Sequence, residues 1–162
     1  MRSKKLYIEF LEVAKSLNKN LNVVPVLYGS LGLEILTGRD FVPQDVDILV
    51  PLEFIKEKWG VLKDMMENLG YTFVDLHEHE FRKENIKVAF SYIEDLQIFA
   101  QVNYADLKRV EYEGAAYQLL HLEDYVKVYT QSLKDSYRRN KNNSKDQKKL
   151  EIIYNLLKSV QK

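Results

Sequence analysis

The chain has 162 residues, 46% of them hydrophobic, which suits one domain with its own core and falls short of the ~200 residues that a (β/α)8 barrel needs. Its 24 Lys and Arg balance 24 Asp and Glu, so no global field draws it to nucleic acid or to an anionic membrane. With no cysteine, disulfides and thiolate-ligated zinc or iron-sulfur centres are excluded, and a reducing compartment suits it.

The first fifteen residues are charged and lack both the apolar core of a signal peptide and a spanning stretch of about 20 residues, which reads as a cytoplasmic chain without a membrane partner. Residues 4–18 then place Leu6, Phe10, Val13, Ala14 and Leu17 at helical spacing. Residues 23–28 are apolar and β-branched apart from Pro25 and predict a strand. Gly29 and Ser30 turn the chain, with Ser30 as expected N-cap of a helix that buries Leu33, Ile35 and Leu36 and stops at Gly38.

After a loop holding Pro43, residues 45–51, "DVDILVP", predict a second strand with Asp45, Asp47 and Leu49 on one face and Val46, Ile48 and Val50 on the other. Residues 53–69 predict an amphipathic helix closed by Gly70, and residues 71–93 two strands joined near 83–85. The stretch 94–113 is hard to read. Residues 116–120 suggest a short strand, and 122–137 and 145–160 two further helices, joined by the polar run 138–145 as a loop. The pattern is α/β in the α+β sense: a small mixed sheet flanked by helices. It reads as a single domain over 1–162, with the sheet core at about 22–121 and a helical part at about 122–162.

Carboxylates at i and i+2 of a strand point the same way, and Asp45 and Asp47 can share one hard divalent cation that relieves their repulsion. Magnesium fits, because it takes few protein carboxylates and keeps positions open for phosphate oxygens. The helix opening at Gly29 and Ser30 offers backbone N–H groups to such phosphates. Each feature alone is ordinary surface or turn chemistry; their ordered combination carries the reading.

Gly29-Ser30, the helix through "LTGR" (Leu36 to Arg39), Pro43 and Asp45-Val46-Asp47 resemble the N-terminal signature of the nucleotidyltransferase superfamily, especially the lincosamide and aminoglycoside nucleotidyltransferases. "LLHLEDYVKVY" (119–129) and "SKDQKKLEII" (144–153) are similar to the helices that follow the sheet there, and together these stretches cover about a third of the chain. The resemblance implies a nucleotidyltransferase-like fold and Mg²⁺-dependent transfer of a nucleoside monophosphate from a nucleoside triphosphate to an acceptor hydroxyl, on a small molecule or a protein. Asp45 and Asp47 would hold one or two ions, Gly29, Ser30 and Arg39 would lie at the nucleotide, and a third carboxylate would complete the catalytic and metal set. Glu80 and Glu78 are the first and second choices for it, and Glu94 or Asp95 the third. The family's lysine in the helix after the sheet falls near Tyr129, with Lys127 two residues earlier. No acceptor domain is evident, which leaves a homodimer, or a non-catalytic binding or antitoxin-like regulatory protein, as alternatives.

Three features remain. His77 and His79 would share a strand face but bring too few ligands for zinc. Residues 134–149 hold seven Lys or Arg against two Asp; a solvated run is the default, and the functional reading has Arg138, Arg139, Lys141 or Lys145 closing over a triphosphate, with RNA a poor alternative. Tyr112, Tyr117, Tyr125, Tyr129 and Tyr137 fit core and boundary positions better than a stacking platform.

Overall fold

The computed structural model describes residues 2–134 and 136–161, with the side chains of 136–144 and 160–161 outside the description. Chain order is α1 (Arg2–Leu21), β1 (Val26–Tyr28), α2 (Gly29–Thr37), β2 (Val46–Val50), a 3-10 turn (Leu52–Phe54), α3 (Trp59–Asn68), β3 (Thr72–Asp75), β4 (Glu80–Lys83), β5 (Ile86–Tyr92), α4 (Asp95–Ala100), β6 (Lys108–Tyr112), β7 (Ala115–Leu119), α5 (Leu122–Lys134) and α6 (Ser136–Gln161). The strands form one mixed seven-stranded sheet in the order β3-β4-β5-β2-β1-β7-β6.

Alternation along the central strands divides the core by face. Val46, Ile48 and Val50 pack with Leu6, Phe10 and Leu17 of α1 and Leu62 and Met66 of α3. Leu49 packs on the other side with Leu96 of α4, Tyr125 and Val128 of α5 and Leu150 and Ile153 of α6. Asp47 stands on this second face, toward the C-terminal helices.

Several boundaries differ from the sequence reading, each for a local reason. Helix α2 starts at Gly29, with Tyr28 flanking it and no side-chain cap, so Ser30 lies in the first turn rather than at the N-cap. Asp45 sits in the bend before β2. The expected helix over 53–69 is a 3-10 turn followed by α3; the Leu52 amide donates to both carboxylate oxygens of Glu94, at 3.1 and 3.3 Å, which anchors that turn separately. The expected single strand before Lys83 is two, because a turn over 76–79 folds β3 back onto β4, with His79 at φ 49° supplying the left-handed position. His77 and His79 therefore share a turn, not a strand face. The run 138–145 continues α6 instead of forming a loop.

Tyr117, Tyr125 and Tyr129 are buried and Tyr112 is half exposed, as expected of core and boundary rings; the side chain of Tyr137 lies outside the described residues. Among the described residues, no helix is long and apolar enough to cross a membrane.

Candidate functional site

A cleft of about 820 Å³ opens on the face of the sheet that carries Asp47. Residues on β1, β2 and β5, the α2 start, the loop 40–44, the turn 77–79 and α6 all line it.

Asp47 is held by strand register, facing Tyr28 of β1 across an antiparallel ladder and Ala89 of β5 across a parallel one. Gly29 follows β1 at φ +66°, and a Cβ built there would stand 2.5 Å from Asp47 Oδ2, so only glycine lets the backbone pass this close to the carboxylate. Tyr125 Oη donates to the Gly29 carbonyl at 3.2 Å, which ties the turn to α5. The first amides of α2 have no intrahelical acceptor, and Gly29 and Ser30 line the cleft beside Asp45 and Asp47.

Helix α6 supplies another wall through Lys145, Lys148 and Lys149. Ser132 donates to Asp146 at 2.6 Å in the buried seam between α5 and α6, fixing the register that points these lysines inward. Lys149 Nζ stands 5.3 Å from the centroid of Tyr129, the last member of a stack Tyr28, Tyr125, Tyr129. Burial holds the Lys149 ammonium below the ordinary lysine value, against the charges of Asp146 and Asp47.

His79, which lines the cleft, meets Trp59 edge-on with ring centroids 4.7 Å apart, and burial lowers the His79 pKa. A neutral imidazole there suits packing against indole.

The expected residues divide clearly. Asp45, Asp47, Gly29, Ser30 and Lys145 come together in the cleft, and Glu78 reaches it from the turn, 62% exposed and 3.9 Å from His77. Arg39 and Lys127 are exposed and are not among the described residues lining it. Glu80 is buried on β4 and bound to Lys87 at 3.1 Å and Arg82 at 3.3 Å. Glu94 is committed to the Leu52 amide, while Asp95 lines the cleft. The side chains of Arg138, Arg139 and Lys141 lie outside the described residues. Among the described residues, no group of three His, Cys, Asp or Glu converges as a metal cage.

No family model matches the sequence. The uncharacterized protein YnaI of Bacillus subtilis (strain 168) is 55% identical over 155 residues, which span 96% of this chain and 99% of that protein. The chain belongs to the YnaI family. Among solved structures, an antigenic nucleotidyltransferase-like protein from Paracoccidioides brasiliensis aligns with a TM-score of 0.59 at 12% identity, over 94% of this chain and 77% of its own. The antibiotic-resistance factor ANT(2'')-Ia aligns at 0.55 and 14%, over 98% and 94%. The YnaI-family chain thus has a nucleotidyltransferase-like fold.

Lys149 escaped the sequence reading, although a signal was present: it lies four residues after Lys145 and three before Ile152, on one helical face. If the cleft takes a nucleoside triphosphate, as proposed below, Lys149→Met should weaken its binding by about tenfold or more, the effect of losing one charge-assisted phosphate contact. Because the free ammonium deprotonates below the ordinary lysine value, affinity should fall as pH rises through that lowered pKa. Calorimetric titration across pH should show this limb in the wild type and none in Lys149→Met.

Proposed function

We propose that this protein is a Mg²⁺-dependent nucleotidyltransferase that passes a nucleoside monophosphate from a nucleoside triphosphate to an acceptor hydroxyl. One observation carries the reading: Asp45 and Asp47 share a cleft with the amide end of α2 and with Lys145, Lys148 and Lys149 of α6. Two carboxylates are what magnesium takes from a protein when phosphate oxygens and water complete its shell, so this donor set fits the ion. Asp45 and Asp47 would hold it, and bound there it would offset charge on the α-phosphate and the leaving group.

The chain's own residues do the rest. The Gly29 and Ser30 amides orient phosphate oxygens without a side chain in the way. The α6 lysines neutralise the far end of the triphosphate, and the rings of Tyr28 and Tyr129 give the cleft an apolar wall. In the transfer, the acceptor oxygen bonds to the α-phosphorus, the bond from that phosphorus to the bridging β oxygen breaks, pyrophosphate departs, and the hydroxyl proton leaves to solvent.

A second reading, nucleotide binding without transfer, is favoured by one feature. Ala89 is the β5 residue beside Asp47, and the carboxylate beyond it, Glu80, is already paired with Lys87 and Arg82. Calorimetry with ATP, CTP, GTP and UTP, with and without Mg²⁺, followed by a pyrophosphate-release assay over a panel of hydroxyl acceptors, separates the two. Mg²⁺-dependent binding with release is the expected result. Binding with no release for any acceptor turns the assignment to the second reading, and no binding by the wild type removes both.

A further inference from the structure

Resting on that nucleotide site, the rows of side chains across β2, β5 and β4 carry a more specific conclusion. Asp47 pairs with Ala89, and Ala89 with Glu80, so one row holds carboxylate, methyl and carboxylate. With strands about 4.8 Å apart, Glu80 lies two strand spacings from Asp47. Lys87, two residues before Ala89 on the same face of β5, pairs with Arg82. Its Nζ lies 3.1 Å from Glu80 Oε1 and 3.9 Å from Asp45 Oδ2, while Arg82 Nε reaches Glu80 Oε2 at 3.3 Å. Both oxygens of Glu80 thus face cations, and its side chain is only 8% exposed.

We infer that Lys87 serves as a built-in second cation at the aspartate pair, so that the site takes one divalent ion per bound nucleotide rather than two. Two divalent ions in one phosphoryl-transfer site sit about 3.5–4 Å apart and need carboxylate oxygens on both. In this lateral row the further carboxylate is Glu80, neutralised from two sides, and among the described residues Asp40, Glu78 and Asp95, which also line the cleft, form no three-carboxylate cluster with the pair. A second ion would also meet the Lys87 ammonium next to Asp45, where like charges repel. A covalently attached ammonium needs no filling from solution, so Asp45 keeps a positive neighbour whatever the free metal concentration.

The test counts ions. Mn²⁺ is titrated by electron paramagnetic resonance into the full chain with the α,β-methylene analogues of ATP, CTP, GTP and UTP in turn. One Mn²⁺ per bound nucleotide is expected in the wild type and in Lys87→Arg, which keeps the charge. Two are expected in Lys87→Met, where Asp45 loses its ammonium neighbour and Glu80 Oε1 is freed while Oε2 keeps Arg82, and one again in Lys87→Met/Glu80→Gln. Two ions in the wild type, or one in a folded Lys87→Met, overturns the inference and leaves the nucleotide site standing. Should Lys87→Met not fold, the wild-type count decides alone, one ion supporting the inference and two overturning it. Wild type that binds no nucleotide with Mn²⁺ overturns the nucleotide site and the inference together.

Discussion

Replacing Asp47 by Asn should lower Mg²⁺-dependent nucleotide affinity by about a hundredfold or more, since even residues that only orient metal ligands typically cost 10–100-fold. The isosteric amide keeps the side-chain volume against Gly29, where a Cβ would already stand 2.5 Å from Asp47 Oδ2. A change in affinity with an unchanged melting temperature therefore isolates the charge. Asp45→Asn should be milder, roughly tenfold, because Asp45 lies before β2 with Lys87 3.9 Å away and already shares its charge with that ammonium. Titration of both variants with Mg²⁺ and each triphosphate gives the order directly. Equal affinity for wild type and Asp47→Asn would remove Asp47 from the nucleotide site.

The second large effect is on stability. Gly32 is buried in α2, and a Cβ there would stand 2.5 Å from the Leu27 carbonyl oxygen and 2.6 Å from Tyr125 Oη. Both neighbours are constrained: Leu27 belongs to the central strand β1, and the Tyr125 hydroxyl is bonded to Gly29. Gly32→Ala should destabilise by about 3 kcal/mol, the upper part of the usual range for overpacking. At this chain length that is a fall of roughly 6–12 °C in Tm. Adding Tyr125→Phe removes one of the two clashing atoms, so Gly32→Ala/Tyr125→Phe should lose less than the sum of the single changes. Strictly additive losses in thermal denaturation would show that the hydroxyl is not what resists the methyl group.

The two elements of the site that were legible in the sequence were local ones. Gly29-Ser30 after an apolar strand, and Asp45 and Asp47 at alternating positions, follow from chain periodicity and turn chemistry without knowledge of any partner strand. Whether Glu80 could act as a third carboxylate was not legible, because its surroundings depend on how β4 and β5 align with β2. Glu80 attracted attention as a carboxylate near a strand, whereas its meaning comes from facing Ala89 and from the Lys87 and Arg82 side chains on either side of it. The division between β3 and β4 was hidden for a related reason: residues 76–79 contain no Gly or Pro, and a histidine takes the positive φ. The polar run before Lys145 looked like a loop by composition, yet α6 continues through it, with its later turns anchored by Leu150 and Ile153 in the core and by Asp146 against α5. In α6, packing outweighs local propensity.

Trp59 is the chain's one tryptophan; it packs with Phe73 and Phe81 and meets edge-on the ring of His79, which lines the cleft. Indole emission responds to the polarity and charge immediately around the ring, and here one ring neighbour is an imidazole that burial keeps neutral to lower pH than usual. The molecule consequently contains its own optical gauge. Light emitted near 59 reports on the state of the His79 turn without any label, and no other indole in the chain contributes background to the signal.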